Sequence, residues 1–212
     1  MLRSMIRACC AFAVLLAASS VLAQTEFSAD MVDTAKNGNP VQAKIYFAKD
    51  KMRLESVEKD QRGMGGALIV NLATQTSTVL MDQQHMYMEV PAQTAAQRNA
   101  YTYNFFRTGD VEAACSDWLQ QARNKGGTCH KIGSDTVNGR STIKYEATNA
   151  GGDKGTFWID PKLRFPVKWQ GKNDGGELRN IQEGTQPASL FEIPAGYTKF
   201  DMGAMMKQHQ QQ

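Results

Sequence analysis

The stretch VQAKIYFAKDKMRLE, residues 41–55, decides the fold. Every second residue from Val41 to Phe47 is apolar, and the residues between them are polar or amphipathic. After a short polar break, Met52 and Leu54 alternate with charged residues in the same way. A period of two residues is typical of a strand with one buried face, and two such runs joined by a short turn predict an antiparallel hairpin.

Working outward, the same strand-like pattern recurs along most of the chain. The intervals between runs are short and carry turn residues, such as Asn138-Gly139, which leaves no room for the crossovers that parallel strands need. We therefore predict a series of antiparallel strands. Besides the hairpin, the runs lie at 27–31, 68–72, 76–81, 85–90, 128–132, 141–148, 155–160, 165–171 and 177–183.

The middle of the chain differs. Asp110 is a suitable N-cap for a helix over 111–124, and Gly126-Gly127 is a suitable end. Residues 92–109 carry almost no charge and receive no assignment. The predicted fold class is therefore mainly β (α+β): a strongly curved antiparallel sheet with a helix packed on its concave face. The chain has no GxGxxG and no GxxxxGK[ST] sequence, which argues against a nucleotide-binding fold.

Composition excludes several other classes. The chain has 212 residues, a net charge of +3, 42% hydrophobic residues and 21% charged residues, as ordinary globular proteins do. These values argue against a disordered chain and a multi-span membrane protein. Because no dense Lys/Arg patch accompanies the weak positive charge, nucleic acid is not an expected partner.

The N-terminus reads as an export signal. Arg3 and Arg7 precede an apolar run over 8–18, and Val21-Leu22-Ala23 fits a signal peptidase site. We predict a signal peptide at 1–23, a single domain over 24–202, and a polar tail at 203–212. A retained membrane anchor is the alternative, but the apolar run is shorter than the roughly 20 residues that a spanning helix needs. The predicted location is the periplasm, with no membrane anchor after cleavage.

Two cysteines, Cys115 and Cys129, remain after that cleavage. In an exported protein a structural disulfide is the favoured reading. A metal pair and a thiol nucleophile are the alternatives, although neither has a CxxC partner in the sequence.

The second half of the chain resembles a known family. The motifs that carry the resemblance are Val137-Asn138-Gly139-Arg140, Lys144-Tyr145-Glu146, Phe157-Trp158-Ile159-Asp160, Phe165-Pro166-Val167-Lys168 and Leu190-Phe191-Glu192-Ile193-Pro194-Ala195-Gly196-Tyr197. In this order and spacing they are similar to an exported bacterial family of unassigned function in the LolA-like superfamily. The resemblance covers roughly 25–202, and the motif at 190–197 is its most specific part.

The resemblance implies an incomplete, strongly curved antiparallel barrel around one or two helices. It also implies a carrier of lipid or lipoprotein acyl chains, or a sensor of envelope components, and it supplies no catalytic residues. Independently, methionine is unbranched and polarizable and therefore suits a cavity for apolar chains of variable shape. We predict the lining residues to be Met31, Ile45, Met52, Met86, Met88 and Trp169; simple core packing is the alternative reading for each of them.

A soft-metal site is a weaker hypothesis. Met202, Met205, Met206 and His209 would form one stripe of a helix, and thioether and imidazole ligands suit Cu(I). His85 also adjoins Met86 and Met88 in sequence. On a strand, however, its side chain points to the opposite face from theirs.

Enzymatic readings have less support. The sequence contains no GxSxG and no HExxH, and a bridged Cys129 beside His130 cannot act as a nucleophile. The function predicted from the sequence is thus a monomeric, cofactor-free periplasmic binding protein for a lipid or another apolar ligand. An envelope stress-sensing or protein-interaction module is the alternative, and copper handling by the C-terminal tail is a third.

Overall fold

A single open antiparallel sheet dominates the protein. The computed structural model describes residues 25–35, 40–57, 66–90, 111–120 and 125–200. Within them lie twelve strands and the helix α1, Ala114–Gln120. The strands are β1 Phe27–Asp33, β2 Val41–Ala48, β3 Lys51–Ser56, β4 Gly66–Asn71, β5 Thr76–Met81, β6 Met86–Val90, β7 Thr128–Val137, β8 Arg140–Thr148, β9 Lys154–Asp160, β10 Phe165–Gln170, β11 Gly175–Glu183 and β12 Thr198–Lys199. Two 3-10 turns lie at Asp82–Gln84 and Ala188–Phe191.

The strand order is β12-β6-β5-β4-β3-β2-β1-β11-β10-β9-β8-β7. The hairpin predicted from residues 41–55 is confirmed: Phe47 pairs with Met52 and Ile45 with Leu54. The two halves of the chain join where β1 pairs antiparallel with β11. One sheet therefore runs without interruption from β6 to β7.

Three phenylalanines show how strongly this sheet curves. Phe47 on β2 and Phe165 on β10 are separated by three strand spacings, roughly 14 Å in a flat sheet. Their ring centroids nevertheless lie 5.6 Å apart, and both rings contact Phe27 of β1. All three side chains are buried in the main core cluster. The sheet must therefore bend around this cluster, as the predicted fold class requires.

Breaks in strand register accompany the bend. The β1–β11 pairing shifts between Ser28 and Asp30, and the β9–β10 pairing shifts between Pro166 and Lys168. Asn180, within β11, has a φ of 51°, in the left-handed region. Irregularities of this kind bend a strand and increase its local twist.

Helix α1 packs on one face of the sheet, over strands β8 and β9. Its residues Ala114, Cys115 and Trp118 pack in a cluster with Tyr145 of β8 and Phe157 of β9. Cross-strand partners point to the same side of an antiparallel sheet. The register therefore continues this face from Tyr145 and Phe157 through Trp169 and Gly176 to Met31, Ile45 and Met52. We call it the inner face and the opposite side the outer face.

The disulfide predicted between Cys115 and Cys129 is present, and it ties α1 to the edge strand β7. The Tyr145 hydroxyl donates a hydrogen bond of 2.5 Å to the Val111 carbonyl just before the helix. The helix predicted over 111–124 is thus confirmed in part, with Ala114–Gln120 as its described extent. Residues 121–124 lie outside the described part of the chain.

The C-terminal segment lies on the outer face. Phe191, Leu190 and Tyr197 pack against Leu80 and Ile69, whose side chains alternate with those of the inner face. The Tyr197 hydroxyl donates a 2.7 Å hydrogen bond to Asp82, which raises the pKa of the phenol. Strand β12 then pairs in parallel with β6. The residues of the sequence motif at 190–197 therefore hold the segment 190–199 against β3–β6.

Candidate functional site

The inner face of β2–β6 is an apolar surface, and the register builds it row by row. One row crosses from Ile45 on β2 through Leu54, Leu68 and Val79 to Met88 on β6. A neighbouring row joins Phe47, Met52, Val70, Ser77 and Val90. These residues occupy every second position of their strands, so the alternation seen in the sequence places them together on one side.

Burial changes along this surface. The row that contains Met52 and Val70 is closed, since Met52 is fully buried and Val70 is 1% exposed. The row beside it is closed at Ile45 but open from β3 onward, where its members Leu54, Leu68, Val79 and Met88 are only half-buried. Apolar side chains left in this intermediate state still offer surface that a ligand can remove from water.

We call the open part of the inner face the apolar patch. Its members share one side of β3–β6, and each is half-buried. They are Leu54, Leu68, Val79, Met81, Met86 and Met88.

The six residues predicted to line the ligand site separate into three groups. Met86 and Met88 lie in the apolar patch. Ile45 and Met52 belong to the main core cluster, with the half-buried Met31 packed against it, and they form the floor beside the patch. Trp169 packs against the cluster under helix α1, where a Cβ on Gly176 would lie 2.2 Å from its ring.

Four members of the patch are not among the residues predicted from the sequence: Leu54, Leu68, Val79 and Met81. Each occupies an apolar position of a run that the sequence identifies as a strand. Their positions on apolar strand faces could thus be predicted from the sequence. Their common surface follows only from the register that joins β3, β4, β5 and β6.

The polar side chains of β6 point away from the patch. Tyr87 packs with the C-terminal segment on the outer face, and Glu89 forms an ion pair with Lys199. His85, with a φ of 50°, lies in the turn before β6 rather than in the strand, and its ring meets that of Tyr197. The expectation that His85 would not share a face with Met86 and Met88 agrees with this arrangement.

A concavity of about 400 Å³ lies elsewhere, between the β7–β8 turn and β11. Its lining includes Arg140 and Arg179. Arg140 donates hydrogen bonds to Asp160 at 2.5 Å and to Glu183 at 2.7 Å, while Arg179 pairs with Glu177 at 2.5 Å. Because both guanidinium groups already face carboxylates, we assign this concavity to structural ion pairing rather than to ligand binding.

Metal-binding clusters and membrane-spanning helices are both missing from the described residues. Within those ranges, no group of three or more His, Cys, Asp or Glu side chains is placed to hold a metal ion. Nor do they contain a helix of the length and apolar character that crossing a membrane would need. The predicted tail ligands Met202, Met205, Met206 and His209 lie outside the described residues, as does the predicted signal peptide at 1–23.

A solved structure has a similar fold. An uncharacterized conserved protein from Thermus thermophilus superposes with a TM-score of 0.53 at 9% identity, over 84% of this chain and 91% of that one. That likeness concerns the fold alone.

Two weaker likenesses have TM-scores below 0.5, and no conclusion depends on them. They are the MucA/MucB complex of Pseudomonas aeruginosa (TM-score 0.38, 12% identity, 82% of this chain and 57% of that one) and the LolA superfamily protein NE2245 from Nitrosomonas europaea (TM-score 0.32, 7% identity, 81% and 91%). This chain thus covers little more than half the length of the chain that it matches in the MucA/MucB complex.

No curated protein matches the sequence. Residues 26–164, however, match the family described as Domain of unknown function (DUF4412). The open, curved antiparallel sheet with a helix on its inner face agrees with the curved, incomplete barrel that the sequence resemblance implied. The chain is therefore a member of the DUF4412 family, whose function is unassigned.

Proposed function

We propose that this protein is a periplasmic binding protein that holds a lipid acyl chain or another apolar ligand against the apolar patch. The observation that carries the proposal is the change in burial across the inner face, from the fully buried Met52 and its partner Val70 to the half-buried residues of the apolar patch. The proposed activity is binding and transport, without catalysis.

The chemistry of the patch indicates the kind of ligand. Leucine, valine and methionine offer no fixed hydrogen-bonding pattern, so the patch selects for apolar surface rather than for a particular head group. Each methylene group removed from water contributes about 0.8 kcal/mol, so an acyl chain gains affinity with every carbon that contacts the patch. The flexible side chains of Met86 and Met88 would adapt to chains of different shape.

Export to the periplasm is part of the proposal. The signal peptide at 1–23 would be removed, and the single domain over 24–202 would act as a monomer, followed by the tail at 203–212. The Cys115–Cys129 disulfide supports an oxidising compartment, since such bridges persist there and are rare in the cytosol.

A neighbouring pair of residues provides a matched test. Val79 and Thr78 adjoin on β5, are both half-buried, and point to the inner and outer faces respectively. Val79→Asn should weaken binding of a fluorescent fatty acid about fivefold or more, because an amide replaces apolar contact at the cost of about 1–3 kcal/mol. Thr78→Asn should leave the affinity unchanged.

The readout is a fluorescence titration of both variants and the parent protein, with far-UV circular dichroism to confirm folding. Native mass spectrometry of protein purified from the periplasm would show whether an apolar molecule is carried. Equal affinity for the two variants, or a parent protein that binds no fatty acid, would contradict the proposal.

Protein interaction is the second candidate function, and the edge strand β7 favours it. Most of β7 is exposed, including Ile132 at 54%, and β7 ends the sheet order. An exposed edge strand offers unpaired backbone groups to a partner strand. Protein that carries no ligand but retains an envelope protein on purification would favour this candidate.

A further inference from the structure

Three methionines meet at one end of the inner face. Met81 is the last residue of β5 and Met86 the first of β6, and the two are direct cross-strand partners. Met88 follows two residues later on the same strand and pairs with Val79. Direct partners and residues two apart share a side of the sheet, so the side chains of this methionine trio project together.

The spacing allows the three thioethers to converge. Cβ atoms of direct partners lie about 4.5–5.5 Å apart, and those of diagonal neighbours lie about 7–8 Å apart. A methionine side chain is long, unbranched and flexible, so its sulfur can reach a point between such positions. Met81, Met86 and Met88 are all half-buried, so the site they define is neither sealed in the core nor fully open to solvent.

The surroundings of the trio contain little that would bind a hard ion. Its described neighbours on the inner face are Gly66, Leu68, Val79 and Val90, together with Thr198 of β12, which pairs with Met86 and brings a hydroxyl but no charge. The nearby imidazole of His85 and carboxylate of Glu89 are engaged on the outer side, with Tyr197 and Lys199.

We propose that Met81, Met86 and Met88 form a Cu(I) site with thioether ligands only. Soft sulfur ligands select Cu(I), whereas Mg²⁺, Ca²⁺ and Mn²⁺ require oxygen ligands. The cysteines of the disulfide cannot compete for the ion, because both sulfurs are bonded to each other. Ion binding at this site does not depend on the proposed binding of an apolar ligand, although both use the inner face.

The test is a Cu(I) titration of the full mature chain, kept anaerobic with ascorbate, against a chromophoric Cu(I) chelator. All variants carry Met202→Leu, Met205→Leu, Met206→Leu and His209→Gln, so that the tail stripe cannot contribute. We expect one Cu(I) per chain in this background. Met81→Leu/Met86→Leu should weaken binding at least about tenfold, since even the loss of an outer-shell group around a metal costs 10–100-fold.

Met31→Leu is the matched control, because Met31 is also a half-buried methionine on the inner face but lies away from the trio, on β1. It should leave the affinity unchanged. Methionine-to-leucine exchange conserves volume and should preserve folding. The single variant Met88→Leu gives a second measurement with less disturbance, and it should also bind at least about tenfold more weakly.

Three results would overturn the proposal. They are no Cu(I) bound in the tail-silenced background, equal affinity in Met81→Leu/Met86→Leu and Met31→Leu, or nitrogen or oxygen in the first shell by X-ray absorption. The variant Leu54→Asn separates the two proposals, because Leu54 is a patch residue on β3 that does not adjoin the trio. It should weaken fatty-acid binding and leave the Cu(I) affinity unchanged.

Discussion

Replacing Phe47 by alanine is expected to lower the free energy of unfolding by about 3–5 kcal/mol. Phe47 has no exposed surface, and its ring contacts Phe27 and Phe165 at centroid distances of 5.7 and 5.6 Å. Truncation would remove the burial of the ring and leave a cavity where β1, β2 and β10 meet. The contact with Phe165 joins β2 to β10, which are not neighbouring strands, so its loss should also reduce the curvature of the sheet.

The measurement is urea unfolding, monitored by circular dichroism, of Phe47→Ala and of the control Ile132→Ala. Ile132 is 54% exposed, and its truncation should change stability by no more than about 0.5 kcal/mol. A loss below about 1.5 kcal/mol for Phe47→Ala would mean that the aromatic cluster does not hold the curved sheet together.

Removal of the disulfide has the second large expected effect. The bridge joins residues 14 apart in sequence, and a closed loop of this size contributes about 3 kcal/mol by restricting the unfolded chain. Cys115→Ser/Cys129→Ser should therefore lose about that amount of stability. The helix α1 should be affected most, because the bridge attaches it to β7.

Chemical denaturation of the double variant and of the parent protein, each with and without a thiol reductant, tests this expectation. Reductant should destabilise the parent toward the variant and leave the variant unchanged. A parent protein whose cysteines react with an alkylating reagent before reduction would contradict the bridge itself.

The alternation of apolar and polar residues predicted most of the strands, because an apolar residue at every second position marks the buried face of a strand. The run from Val41 to Phe47 and its partner at Met52 and Leu54 lie where the sequence places them. The strand β7 is longer than predicted, reaching Val137, because a register shift between Lys131 and Gly133 lets the pairing with β8 continue. Such a register shift interrupts the alternation of apolar and polar residues on which the strand prediction depends.

The pairing of strands that lie far apart along the chain could not be predicted from the sequence. Nothing local to Phe27–Asp33 indicates that it pairs with Gly175–Glu183, about 150 residues away along the chain, yet this pairing joins the two halves of the sheet. The two-residue strand Thr198–Lys199 is likewise set by its contact with β6 rather than by its own residues.

The candidate site illustrates the same limit. The sequence identified Met86 and Met88 as members of an apolar face, since they alternate with Tyr87 and Glu89. It did not connect Met81 with them, because that requires the cross-strand register of the β5–β6 hairpin. It also did not separate Ile45 and Met52, which form the closed floor, from the half-buried patch, because degree of burial depends on the curvature of the whole sheet.

Photo-crosslinking gives the most direct test of the proposed apolar site. The mature protein would be irradiated with a fatty acid that carries a diazirine near its methyl end, and the labelled peptides would be mapped by mass spectrometry. We expect labels on the inner-face residues Leu68, Val79 and Met88, and competition by unlabelled fatty acid should remove them. Labels confined to outer-face residues such as Ile69 and Tyr87, or no competable label, would contradict the account.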